Sequence, residues 1–491
     1  MIGFVRARHL VPLSDPTPST RIEDGYVLWR DGEILEAGAF DPAVGARVLR
    51  AHSGALTVLG SEGPIDGVER LEQIERLEGV LLPGFVKAHG HDHEPPIIGL
   101  VKDVPLTEWL DGVVNVFTKF MAEERQALER LLGCAPQRVA YLKARVDDLY
   151  YGITSSMVHH CNYAKYTVAE LADANEAAGT RMIIAVGSQD RHYYEKLLDI
   201  PAQVAIERLD RAEEAQAARP RVTVVPGPDQ LFSNGPELLK ALKAWSRERG
   251  TLFHCHSSEE PNTTRWFCET YGQTPVEYAH ELGILDDQTV LAHQVNCTDR
   301  DLDILASTGT KVVHNPLANT ILGSGMPPIV EMQARGIPVC ISTDGSGSSD
   351  NQNILAAARL ASQYQKAVRA DARVLPAQRV LEMITREPSR MLGLNAGSLE
   401  PGRAADIVLV ATDRPNMTPT RRSNVIENLI WATDGSEVEL VVAGGRLLRQ
   451  GRSYHSLPVD EINAQVTLLA EAFDAYRERS KAELKGTGAH R

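Results

Sequence analysis

The sequence predicts an α/β chain, a closed (β/α)8 TIM-like barrel accompanied by a small β domain built from both chain ends. Three observations carry this expectation. Between about residues 80 and 395, short apolar runs alternate about eight times with longer helix-patterned stretches. On either side of that region the chain breaks into short β-patterned runs separated by turns. The length of 491 residues, 43% hydrophobic and 24% charged, leaves room for one large domain and a smaller companion.

In chain order, residues 1–79 are expected to open the β domain, since GYVLWRDGEILEAGAF sets a DG turn between two apolar runs and SEGPIDG reads as a loop. Residues 80–395 form the barrel. Its strands are read from LLPGFVKAHGH, TSSMVHH, RMIIAVG, RVTVVPG, TLFHCH, TVLAHQ, TKVVHN and IPVCISTDG, and its helices from stretches such as VAELADANEAAG and PELLKALKAWSRERG. Residues 396–455 return to strands, ADIVLVA and EVELVVAGGRLLRQG, which complete the β domain. Residues 456–491 are expected to be a helix and tail, with Ile462, Val466, Leu469 and Phe473 on one helical face for packing against the body or a second subunit.

Charge and composition exclude several functions. With 51 Lys plus Arg against 65 Asp plus Glu, the net charge of −14 repels phosphate backbones, and no basic block offers a local patch, so nucleic acid is not an expected partner. The start, MIGFVRARHL, lacks the apolar core of a signal peptide, and charged residues interrupt every apolar run before it reaches a membrane span. A cytoplasmic chain with no membrane partner is the expectation. The six cysteines are far apart, with no CxxC pair, and read as reduced thiols. GSGSSDN lacks the GxxxxGK[ST] pattern of a phosphate loop and is expected to be a flexible active-site loop.

The histidines carry the chemistry. His89 and His91 sit two apart at a predicted strand end, and residues i and i+2 of a strand share a face, so both imidazoles can reach one ion. His256 ends another strand, with Glu259 three residues on; His293 ends a third and Asp344 the last. In a βα barrel the C-terminal strand ends converge on one face, which gathers these distant residues into one pocket. Nitrogen and carboxylate ligands suit one divalent metal, zinc first, with iron(II) or cobalt(II) also accommodated.

As a set, PGFVKAHGH, PLTEWL, HCHSSE, LAHQV, HNPLANTILGSG, ISTDGSGSSDN and GSLEPGRAADIVLV resemble the amidohydrolase superfamily, in its triazine-hydrolase and nucleobase-deaminase branch, from about Asp31 to Gly451. The resemblance implies a barrel with a β-sandwich and a single metal held by His89, His91, His256 and Asp344. It implies that Glu259 shuttles protons and that His293 orients water or substrate. It also implies that the motif of His314, Asn315 and Asn319 lines the substrate pocket, with fixing a loop as the competing reading. Elementary chemistry agrees: a metal lowers the pKa of its water from 15.7 to about 7, Asp344 can take the proton, and Glu259 can pass one to a leaving nitrogen. Relatives with two metals use a strand-end lysine; RVTVVPGPDQ has none, which favours one metal.

Competing readings accompany the remaining residues. One of His159 and His160, taken as His160, is expected at the substrate, with packing as the competitor; Trp109 is expected to shape the pocket, with helix surface as the alternative. His93 and His254 are expected beside the ligands rather than among them, and Glu260 at the surface. Where many deaminases of this branch read Pro-His-Ala-Pro-Tyr, the chain has Pro228-Asp229-Gln230-Leu231-Phe232, and Asp229 is expected to favour a cationic or donor-rich substrate. The expected activity is hydrolysis of a C–N bond at an sp² carbon of a small molecule, by deamination of an aminated heterocycle or amidine-like compound. Amide, urea or carbamate hydrolysis, triazine dechlorination and an inactive metal-binding scaffold are the alternatives. A homo-oligomer is expected.

Overall fold

The computed structural model describes residues 1–14, 20–52 and 54–486, with side chains to residue 481. Eight short strands form the centre: β1 (Phe85–Lys87), β2 (Ile153–His160), β3 (Arg181–Ser188), β4 (Val222–Pro228), β5 (Phe253–Ser257), β6 (Thr289–His293), β7 (Lys311–His314) and β8 (Val339–Ile341). Their residues are buried on both faces, as expected of parallel strands covered by helices. β1 to β4 form one four-stranded parallel sheet in chain order and β5 to β8 another. Helices separate successive strands, among them Pro136–Tyr150, Val168–Ala178, Pro236–Arg249 and Asp299–Thr308. Gly179, Gly250 and Gly309 end the last three of these with φ of 83°, 63° and 71°, a left-handed conformation that costs glycine nothing.

The two sheets meet at two seams. A single bridge between Gln230 and His256 joins the end of β4 to β5. At the other seam side-chain bonds take the place of a ladder: Ser342 Oγ accepts from His89 N at 3.1 Å and donates to His89 O at 2.7 Å. Both seams lie where β-strands end, beside the histidines.

Both chain ends enter one ten-stranded sheet. Its splice is the strand Leu77–Pro83, parallel to Ile2–Leu10 and antiparallel to Ile407–Ala411. The DG turn forms as expected, with Asp31 and Gly32 at φ of 50° and 89° between Ile22–Arg30 and Glu33–Ala39. Alternate residues divide the sheet's two faces: Val27 and Trp29 pack with Leu81 and Leu409, while Tyr26 and Leu28 pack with Phe4 and Val58.

The helix Val459–Gly486 closes the chain, and the tail expected after it lies outside the described residues. Its Leu469 and Phe473 are fully buried in a cluster with Ile97, Trp109, Phe117 and Phe120, so the terminal helix supports the segment that carries Trp109. No helix among the described residues is long and apolar enough to cross a membrane.

Candidate metal and catalytic site

Hydrogen bonds to fixed carbonyls decide which nitrogen of each imidazole is free. His91 Nδ1 lies 3.0 Å from His159 O and His256 Nδ1 2.6 Å from Asp229 O; a ring nitrogen facing a carbonyl must donate, so the Nε2 atom of each neutral ring carries a lone pair. Those two Nε2 atoms face each other at 3.2 Å. Two lone pairs at that distance repel unless a cation lies between them. The same logic runs through His89: His254 Nδ1 donates to Val290 O at 3.0 Å, its Nε2 accepts from His89 Nδ1 at 2.7 Å, and His89 Nε2 is left buried without a hydrogen-bond partner. Asp344 Oδ1 stands 3.4 Å from His89 Nε2 and 3.5 Å from His91 Nε2, and donor atoms of His89, His91 and Asp344 form one group able to hold an ion. Imidazoles anchored by a carbonyl or by a neighbouring ring, with one free nitrogen each, plus a carboxylate, fit a divalent cation of the zinc type.

His293 differs. Its Nδ1 receives Asn319 Nδ2 at 3.0 Å, which leaves the proton on Nε2, directed at Glu259 Oε2 (3.5 Å) and Asp344 Oδ2 (3.7 Å). It is therefore a donor towards the site, where the other three rings are acceptors. His293 and Asp344 hold φ of 74° and 72°, a left-handed conformation that costs non-glycine residues on the order of 1–3 kcal/mol and is tolerated where the surroundings impose it.

Burial shapes the protonation states. It holds His89 well below the ordinary imidazole range and brings His91, His254 and His293 down to about 3, which favours the neutral form of each ring. Burial and the Asp344 charge push the Glu259 carboxyl well above the usual carboxylate range. Burial and Asp344 also raise Glu94 to about 8, against the pull of the Gly347 and Ser348 amides that donate to it at 2.9 and 3.2 Å.

Above these groups opens a cavity of about 200 Å³. Of the expected residues, His91, His256, Glu259, His293 and Asp344 line it, as do Trp109 and Asp229; His89 lies beneath, fully buried. Three expectations about substrate contact are corrected. His160 lies outside the cavity because neighbouring strand residues point to opposite faces; His159 takes the inward position and the His160 ring packs 5.3 Å from that of Tyr141. His314 and Asn319 are fully buried and do not line the cavity, and Asn319 acts on His293 instead. Glu260, expected at the surface, is buried and caps the helix Pro261–Tyr271 through the Thr263 amide at 2.7 Å. The expected GSGSSDN loop contains a buried helical turn, Ser346–Ser349, tied down by Glu94.

Sequence reasoning missed the polar layer behind the ligands. Lys87 Nζ lies 2.8 Å from Asp148 and 3.3 Å from both Asp92 and Gln352 Oε1; Arg145 pairs with Asp92 and, at 2.9 Å, with Asp148. Two cations and two anions balance in a fully buried cluster. Gln352 carries the connection to Asp344 O at 3.1 Å. The available signal was Lys87, a charge at the end of the apolar run LLPGFVK.

The sequence model of the amidohydrolase family matches residues 80–448. The 5'-deoxyadenosine deaminase of Methanothermobacter thermautotrophicus is 32% identical over 434 residues, 88% of this chain and 95% of its own length. The 5-methylthioadenosine/S-adenosylhomocysteine deaminase of Nitratidesulfovibrio vulgaris is 30% identical over 451 residues, 91% of this chain and 92% of its own. Among solved structures, a zinc-bound adenosine deaminase from Xanthomonas campestris superposes with a TM-score of 0.80 at 21% identity, covering 97% of this chain and 98% of that one. An atrazine chlorohydrolase from Arthrobacter aurescens, complexed with zinc, does so with 0.80 at 22%, covering 95% and 100%. At that identity the two structures speak for the fold, an α/β barrel of the TIM type.

Proposed function

The chain belongs to the amidohydrolase family and is a metal-dependent hydrolase of carbon–nitrogen bonds, and on that premise we propose that it deaminates an aminated heterocycle, adenosine-type purines being the first class to test. The observation that carries the reading is the opposed pair of His91 and His256 Nε2 atoms, with the buried Glu259 carboxyl 3.5 Å from His293 Nε2 beside them. The deaminase names of the relatives at about one-third identity support it.

In this reading His89, His91, His256 and Asp344 hold one divalent ion, zinc first and iron(II) or cobalt(II) as substitutes. The ion supplies a Lewis acid that lowers the pKa of a coordinated water from 15.7 to about 7. Asp344 takes the water proton as the oxygen bonds to the amino-bearing sp² carbon. Glu259 hands its proton to the departing nitrogen, so that the C–N bond breaks with release of ammonia. The hydroxyl left on carbon passes its proton to the adjacent ring nitrogen and becomes the carbonyl, and the proton held by Asp344 restores Glu259. His293 Nε2–H steadies the oxygen, and Asn319 fixes that tautomer. Trp109 offers its ring as a wall, and Asp229 accepts from a ring N–H or amino group of the substrate. We read the two four-stranded arcs, within residues 80–395, as closing into one barrel. The ten-stranded sheet, from residues 1–79 and 396–455, we read as folding over into a sandwich; residues 456–491 add the helix and tail. A homo-oligomer is the expected state in solution, which light scattering tests.

Ammonia release from a panel of purine nucleosides, pterins, triazines and guanidino compounds is the test. Release from an aminopurine or another aminated ring supports the proposal. Silence across the panel, with turnover of aryl ureas or amides, overturns it.

A further inference from the structure

Beside His91 and His256 three further donors meet: Cys161 just beyond β2 and Asp229 just beyond β4, which line the cavity, and His159 at the end of β2, buried behind them. One donor atom from each lies within 4.8 Å of the others. Of the metal-capable groups found among the described residues, this is the one that shares no member with His89, His91, His256, His293 or Asp344. His159 is fully buried, and its Nε2 lies 3.3 Å from Pro228 O, so that nitrogen donates and Nδ1 holds the lone pair. That Nδ1 has no hydrogen-bond partner and looks towards Asp229 Oδ1 at 3.9 Å. A ring fixed through a backbone carbonyl with its other nitrogen free is the arrangement a metal-ligating histidine needs. The Cys161 thiol is buried too, 3.7 Å from His91 Nδ1.

Charge favours a cation here. Asp111, Asp229 and Asp344 line the cavity, with no lysine or arginine among its described lining residues, while Glu94 and Glu259 are shifted towards their neutral forms and are not counted. An imidazole, a thiolate and a carboxylate suit a borderline ion such as zinc or cobalt(II) and do not suit magnesium, which prefers an all-oxygen octahedron. Three protein ligands leave a fourth position open to water.

We propose that His159, Cys161 and Asp229 form a second divalent-metal site in the substrate cavity, weaker than the site at His89, His91, His256 and Asp344. On binding, Cys161 Sγ loses its proton to solvent and forms the bond to the ion, and Asp229 is taken up as a ligand. Because the proposed function gives Asp229 a substrate contact, the second ion excludes substrate; this consequence rests on that reading, while the site itself does not.

The experiment uses the full chain already loaded with one equivalent of metal and titrates it with cobalt(II), following bound metal by equilibrium dialysis and absorbance in the near ultraviolet. A second equivalent is expected, with a thiolate-to-cobalt charge-transfer band, no competition from magnesium, and loss of both in Cys161→Ser and in Asp229→Asn while the first equivalent stays. Retention of the first equivalent reports that each variant is folded. Saturation at one equivalent, or a second equivalent without the band or unchanged in both variants, overturns the site. With zinc in place of cobalt, the second equivalent is expected to slow turnover by raising KM, and chelation to a single equivalent restores it. A band-bearing second equivalent that leaves turnover untouched supports the site and counts against the substrate contact of Asp229.

Discussion

At the scale of single residues, the site divides its histidines by which nitrogen is free. His89, His91 and His256 present lone pairs, and His293 presents a proton, because a different neighbour holds the other nitrogen of each ring. In the proposed reaction Glu259 is the complementary proton carrier. Replacing it by Gln keeps size and polarity but removes the exchangeable proton, so the variant is expected to retain its metal while kcat falls by about 10²–10⁴-fold. Metal analysis and steady-state kinetics on the same sample check this, and an unchanged kcat counts against the shuttle. Much of this was legible in the sequence, since His256 and His293 lie at the ends of predicted strands. The strand-parity argument for His89 and His91 does not hold, because β1 ends at Lys87 and both rings project from the bend beyond it, as Asp344 does beyond β8. The choice between His159 and His160 was not, because a boundary uncertain by one residue exchanges the two faces of a strand. Glu260 escaped for a related reason: its role is a cap, visible only once Pro261 is known to open a helix.

At the scale of elements, strand ends supply the chemistry and helices hold the walls. The terminal helix was readable from its apolar spacing, but its partner was not, since that partner lies hundreds of residues earlier. Phe473 is fully buried, its ring 5.0 Å from that of Phe117 and 5.2 Å from that of Phe120, in the same cluster as Trp109. Phe473→Ala is therefore expected to cost about 3–5 kcal/mol of stability. It should also raise KM more than it lowers kcat, as the Trp109 wall loosens while the metal ligands stay in place. Denaturant unfolding with kinetics on the folded fraction measures both; an unchanged unfolding midpoint contradicts the packing role. The turn Ser346–Ser349 shows why a glycine- and serine-rich stretch was misread as flexible: Glu94 satisfies its first amides from another element, and nothing local announces that contact.

At the scale of the whole molecule, the fold hides an unusual number of neutral histidines. Burial depresses His89, His91, His93, His159, His160, His254, His293 and His314 below their ordinary value of 6.5, most of them to about 3. The sign follows from linkage: the unfolded chain takes up these protons first, so their contribution is present above pH 6.5 and is lost as pH falls from there towards about 3. The metal-free chain is expected to lose stability steeply through that window, as seen in its denaturant midpoint against pH. A flat profile contradicts the buried neutral cluster. The barrel region and the return of the C-terminal strands to the N-terminal sheet were legible from alternation and turn chemistry. The buried ion cluster of Lys87, Asp92, Arg145 and Asp148 was not, because its members come from two stretches of chain more than fifty residues apart.

The claim on which the account depends is that one ion, set between His91 and His256, makes the hydrolysis possible. Titrating the metal-depleted chain with zinc while following ammonia release from its substrate tests it most directly. Activity should climb in proportion to the first equivalent and peak at one ion per chain, and His256→Ala should stay inactive at that stoichiometry. Full turnover by the metal-free chain, or a rise that requires two equivalents, would contradict it.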